Sequence, residues 1–252
     1  MRTHAPSLAP AGADSRDGCA VSRRVLQRVL GAACLHNRAT NPAGGYCQGL
    51  NSVAACLLTF LSAADTFWML EHIQESLCIG YYTDTMVMVN VDVAVVDEIV
   101  AATLPAAHAA LRQVEEADFF NPMHVHVPKW LIPLFATELP SRTLFRLWDL
   151  LFTEGSHVLV CASAAVLECI SDDLVALTSA ASPSSSSSSS DRVDKVQRLF
   201  RLGSANAFRK SFPFACRFVV PNHQTTLWMH RRHGGFSGQD PGLHGELPAA
   251  AD

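Results

Sequence analysis

Apolar residues recur along most of this chain at the three-to-four-residue spacing of helices packed on a core. Val25, Leu26, Val29, Leu30 and Ala33 share one stripe between residues 21 and 35, with Arg23, Arg24 and Arg28 on the solvated side. Leu50 to Leu61 is nearly all apolar, the signature of a buried helix. Ser62-Ala63-Ala64-Asp65 has the form of a helix N-cap, and Phe67, Leu70, Ile73 and Leu77 continue behind it, widened into a core face by Trp68 and Met69. Leu144, Leu147, Trp148 and Leu151 recur at i, i+3, i+4 and i+7, and Gly155 closes that helix. Val158 to Ile170 reads as another buried helix. The pattern predicts an all-α, multi-helix fold whose core includes Leu57, Phe60, Trp68, Trp130, Leu147, Trp148 and Leu151.

Two segments resist this reading. Val87, Val89, Val91, Val93 and Val95 alternate strictly, as in a half-buried strand, whereas Val93, Val96, Ile99 and Val100 fit a helix. A helix from about Asp92 reconciles most of the positions. Leu104 to Glu116 is Ala-rich, with Pro105 placed for the first helical turn. Asp118 to Pro128 reads as a loop carrying His124 and His126. Two histidines at i, i+2 could share a metal on an extended strand, but further ligands at familiar spacing are missing. A turn feeding the next helix is the plainer reading. Pro133 should kink or shorten the helix that contains Trp130.

Composition narrows the class. Of 252 residues, 49% are apolar, enough for a sizeable core. A formal charge of −4 argues against nucleic acid as partner. Eight cysteines form no C-x-x-C pair, so they read as small core residues in a reducing compartment. The start shows no apolar signal-peptide region, and no apolar run reaches the length of about 20 residues that spans a bilayer. These features predict a soluble, cytoplasmic protein without a transmembrane segment. Residues 1–18 should be extended or disordered and 19–178 the domain core. Seven consecutive serines mark 179–192 as a linker. A last helical part is expected over 193–220 and a disordered tail over 221–252.

The chemistry gathers in Asn41-Pro42-Ala43-Gly44-Gly45-Tyr46-Cys47-Gln48-Gly49-Leu50-Asn51. Asn-Pro and Gly-Gly break the chain just ahead of the apolar run. Gln48 therefore stands at the mouth of a helix, beside a glycine that permits close approach. Capping of backbone groups is the plain role for such a glutamine. Gly45 to Asn51 resembles the G-Y-C-Q-G-[ML]-N signature of TBC domains, the Rab GTPase-activating family. Trp130…Phe135, Leu139-Pro140 and Leu147-Trp148-Asp149…Glu154-Gly155 resemble that family's second block. Trp130 and Trp148, on apolar stripes, read as core anchors.

The resemblance implies a GTPase-activating protein for a Rab-type small GTPase in its GTP form, acting in membrane traffic. It implies that Gln48 is a catalytic finger, with Tyr46, Gly49 and Asn51 as its binding neighbours. The chain would be an enzyme regulator with no cofactor of its own, since GTP and Mg²⁺ belong to the GTPase. Any contact with endomembranes would come through that partner. The family's arginine finger lies in I-x-x-D-x-x-R, often followed by Thr and a nearby Pro. Met1-Arg2-Thr3-His4-Ala5-Pro6 is similar to its end, which makes Arg2 the candidate, ahead of Arg16, Arg23 and Arg24. The motif's Ile and Asp would precede the first residue. The alternative is a TBC-like scaffold that binds a Rab without accelerating hydrolysis, and a metal hydrolase is a distant third.

Overall fold

The computed structural model describes residues 21–41, 44–179 and 190–201. The segments expected to be disordered, most of the serine linker, the tail and Arg2 lie outside those residues. Helices dominate what is described, and the single β-type pairing there is an isolated bridge between Gly44 and Thr83. Contacts divide the chain into two units. Of the described residues, one holds those up to Val89 and Ile132–Thr137; the other holds Asn90–Leu131 and those from Glu138 onward.

In the first unit, α1 (Arg23–Thr40) packs on α2 (Leu50–Leu57) and α3 (Ala63–His72). α1 buries Val29, Ala33 and Asn37, one helical stripe, and leaves Arg23, Arg24 and Arg28 exposed. α2 buries Leu50, Val53, Ala54 and Leu57 and then stops, earlier than the apolar run suggests. Phe60 falls on the turn that follows and is 56% exposed, not part of the core. The Ser62 hydroxyl caps α3, accepting from Asp65 N–H at 3.2 Å. Trp68 is also misplaced by the sequence reading, being 64% exposed. The face that α3 buries runs through Thr66, Leu70 and Ile73, and Trp68 lies two residues from Thr66 and from Leu70, on the opposite side. A single π-helical turn (Ile73–Leu77) extends α3.

Polar groups complete that core. Asn37 Nδ2 donates to Gln74 Oε1 at 2.6 Å, and Gln74 Nε2 donates to the Leu70 carbonyl at 3.1 Å. His36 Nδ1 meets Glu71 Oε2 at 2.6 Å, and burial raises the Glu71 carboxyl pKa while His36 opposes that rise. Such partners are what permit buried side chains of this kind.

The division between units falls inside α4 (Val87–Thr103). This helix begins five residues ahead of Asp92, so the valine alternation marks no strand. Val89, Val93, Val96 and Val100 are buried at helical spacing, while Val87 is exposed. In the second unit follow α5 (Pro105–Asp118), α6 (Pro122–Leu131), α7 (Ser141–Glu154), α8 (His157–Cys169), α9 (Ser171–Ser179) and α10 (190–201). α8 is buried without interruption from Val158 to Leu167 and packs against α6, α7 and α9. Leu147, Trp148 and Leu151 fill the apolar face of α7, as their spacing predicts. Trp130 stacks on Phe200 of α10, ring centroids 5.6 Å apart.

The expected histidine loop is largely helix. The Asn121 side chain accepts from His124 N–H at 3.1 Å, and Pro122 occupies the first turn, so Asn121-Pro122 starts α6. Two residues apart on a helix are about 200° apart around its axis. His124 is accordingly exposed and His126 buried, which removes the shared-metal reading. His126 stacks 4.6 Å from the Phe200 ring, and its Nε2 is buried without a hydrogen-bond partner. Burial, helped by Lys129 and Arg201, lowers its pKa from 6.5 to about 4.

This sets the sign of a pH effect. Above about pH 6.5 His126 is neutral in both folded and unfolded chains. As pH falls toward about 4 the unfolded chain takes up the proton first, so stability falls. The loss is on the order of 3 kcal/mol if the full shift is expressed. Denaturant titrations should show a steeper loss between pH 6.5 and 4 for the natural chain than for His126→Phe. Parallel curves would contradict the assignment.

Candidate functional site

The loop ahead of α2 is built by glycine where no other residue fits. A Cβ on Gly44 would run into the Asn37 side chain, the same amide that is tied to Gln74. Gly49 is the N-cap of α2, with φ of 113°. A Cβ there would lie 3.0 Å from Ile132 Cγ2 and 3.4 Å from Pro133 N. The conformation therefore favours glycine at the point where the loop turns into the helix, and the space there is tight for any side chain.

Gln48, immediately before it, is exposed. Its side-chain amide forms no hydrogen bond to another described residue. Among the described residues it therefore caps no backbone group of α2, whose N-cap is Gly49. The tie across the loop comes from Asn51. Its Oδ1 accepts from the Gly49 N–H at 3.2 Å and from the Tyr46 hydroxyl at 3.3 Å. Tyr46, Gly49 and Asn51 thus bracket Gln48, and Tyr46 is itself 58% exposed. A free amide carrying both a donor and an acceptor is presented on a turn whose backbone is fixed. The Cys47 thiol is half-buried and burial raises its pKa, which leaves it protonated and a poor nucleophile.

The structure adds residues that the sequence did not single out. Arg38, in the last turn of α1, brings its guanidinium to 3.9 Å from where a Cβ on Gly45 would stand. Tyr82 is buried and donates to the Ile132 carbonyl at 2.9 Å. Nothing in their spacing announces either; the return of Ile132–Thr137 to the first unit is what gives Tyr82 its partner. His36, Glu71 and Glu75 also converge in this unit, as a His36–Glu71 hydrogen bond beside an exposed carboxylate.

An all-helical domain that offers an unbonded glutamine at a helix mouth is the class these observations define. The Rab-GTPase-TBC domain model matches residues 11–175, more than half of the chain, and the chain belongs to that family. The match begins after Arg2. Small G protein signaling modulator 3 of Bos taurus is 37% identical over 159 residues, which is 62% of this chain and 20% of that protein. Growth hormone-regulated TBC protein 1 of Homo sapiens is 33% identical over 54% of this chain and 38% of its own length. The chain therefore spans well under half of these curated relatives. The solved Chlamydomonas flagellar RabGAP TBC domain is similar with a TM-score of 0.56 and 25% identity, over 78% of this chain and 57% of that one. Among the described residues no helix is long and apolar enough to cross a membrane.

Gly49→Ala should lower stability by about 1–3 kcal/mol, the range for a side chain forced into a sparsely populated backbone region. Combining it with Ile132→Ala should cost less than the sum of the two single changes, because the 3.0 Å encounter is relieved while the backbone strain stays. Urea denaturation of the four proteins measures this. A neutral Gly49→Ala, or strict additivity, would show that the loop is not seated as described.

Proposed function

We propose that this chain is a GTPase-activating protein for a Rab-type GTPase in its GTP form, with Gln48 as the residue that acts on the attacking water. GTP hydrolysis needs a water held in line and negative charge neutralised on the transferring phosphoryl group. A glutamine amide can accept a hydrogen bond from that water through its oxygen and donate one to a γ-phosphate oxygen through its NH2. The observation that carries the proposal is the exposed Gln48 amide, with no hydrogen-bond partner among the described residues, between Asn51-tied neighbours. A glutamine used for structure would be expected to spend its amide on the protein.

Arg2 is proposed as the arginine that meets the charge developing on the phosphoryl group, on the likeness of Arg2-Thr3-His4-Ala5-Pro6 to the end of the family's motif. A planar, permanently charged guanidinium suits that task. GTP and Mg²⁺ come with the GTPase, so the chain contributes side chains and no cofactor. Its working place is then the cytoplasmic surface of whichever endomembrane carries the GTPase.

Single-turnover hydrolysis by a panel of GTP-loaded Rab proteins tests this. One or more members should be stimulated by the natural chain, and Gln48→Ala should remove most of that stimulation while costing at most about 1 kcal/mol of stability, since it takes away no hydrogen bond. An arginine finger contributes on the order of 10³ to 10⁵ in rate. Arg2→Ala should therefore cost more than tenfold. A Rab that binds tightly with no acceleration would identify a binding scaffold. Full stimulation by Gln48→Ala would refute the role of that residue.

A further inference from the structure

The loop that carries Gln48 rests on a short stretch of unusual backbone. Ile132 to Phe135 follows α6, and two consecutive non-glycine residues within it, Leu134 (φ 50°) and Phe135 (φ 63°), are left-handed. Both are wholly buried, as is Pro133. Left-handed conformations cost of order 1–3 kcal/mol each and persist only where the surroundings hold them. Gly49 lies against the first half of this stretch, where a Cβ would stand only 3.0 Å from Ile132 Cγ2. The Tyr82 hydroxyl donates to the Ile132 carbonyl at 2.9 Å, across fifty residues of chain.

We propose that Tyr82 is a positioning residue for Gln48: by fixing the Ile132 carbonyl it holds the strained shelf on which Gly49 is seated, and so sets where the Gln48 amide points. This rests on the reading of Gln48 given above. The physical chain has three links. The hydroxyl fixes Ile132, Ile132 and Pro133 fix Gly49, and Gly49 fixes the backbone direction one residue from the reacting side chain. Burial pushes the Tyr82 pKa well above its ordinary value, so the hydroxyl stays a donor at any working pH. No part of Tyr82 needs to touch the GTPase, because it is 3% exposed. A misplacement of about 1 Å from outside the chemistry can cost about a hundredfold in rate.

The test uses the full chain and a GTP-loaded Rab that it stimulates. Tyr82→Phe removes one oxygen and keeps the ring. Three quantities are compared among the natural chain, Tyr82→Phe and Gln48→Ala: affinity for the GTP-loaded Rab, hydrolysis rate at saturating chain, and hydrogen exchange over residues 46–50. Tyr82→Phe is expected to lower the saturating rate about ten- to a hundredfold, leave affinity within about twofold, and speed exchange over 46–50 while α8 is unchanged. A purely structural role would lower the melting temperature and leave the saturating rate intact, which overturns the proposal. Unchanged exchange over 46–50 overturns it as well, whatever the rate. If Gln48→Ala is inactive and Tyr82→Phe is fully active, only the positioning role fails. If Gln48→Ala is fully active, the reading of Gln48 fails and the positioning role falls with it.

Discussion

The constraint on which the site depends is steric, and it sits at Gly49. Its backbone takes a φ of 113°, and its missing side chain lets the entrance of α2 come down onto Ile132 and Pro133. Everything of interest follows from that seat. Leu50, the next residue, is fully buried and starts the helix into the core, while Gln48, the residue before, is left exposed. The turn at Gly49 thus parts an exposed side chain from a buried one where the loop becomes helix. Asn51 then closes the loop from the helix side by accepting from both Tyr46 and Gly49. A polar side chain is thereby held out in water on a backbone with little freedom left, the condition under which its orientation can be spent on a partner.

Much of this was legible in the sequence, and where it failed the reasons are physical. Helix periodicity located α7 and α8 because their apolar stripes face a closed core, and Ser62 and Pro105 announced helix starts by their own backbone chemistry. Trp68 and Phe60 were assigned to the core on hydrophobicity, yet α3 buries the side bearing Thr66, Glu71 and Gln74. That choice was open to α3 because its polar residues find partners on α1: Asn37 for Gln74 and His36 for Glu71. Pairing across two helices is invisible to a one-helix pattern. The valine alternation before Asp92 was a coincidence of composition, resolved by helical burial at Val89, Val93 and Val96. At α6 the information was present and misread, since Asn121-Pro122 is a helix start and its signal was outweighed by the two histidines behind it.

The site divides in the same way. Gln48 and its neighbours Tyr46, Gly49 and Asn51 form a contiguous motif, so their types and spacing carried the reading. Tyr82 and the Ile132–Phe135 shelf come from distant stretches, and left-handed Leu134 and Phe135 have no sequence signature, because residues of those types are chosen against such backbone. Strain of this kind is imposed by packing. Its position one to three residues beyond Ile132 and Pro133, which lie against Gly49, links the fold's local cost to the place where geometry matters most for a reaction that depends on alignment and charge.

The most direct measurement is the structure of the full chain bound to a responsive Rab holding GDP and aluminium fluoride, which imitates the transferring phosphoryl group. The account predicts the Gln48 amide within about 3 Å of the in-line water, with Gly49 still seated on Ile132 and Asn51 still joined to Tyr46. A complex in which that seat is kept but the Gln48 amide lies out of hydrogen-bond reach of the water and the fluoride would contradict it.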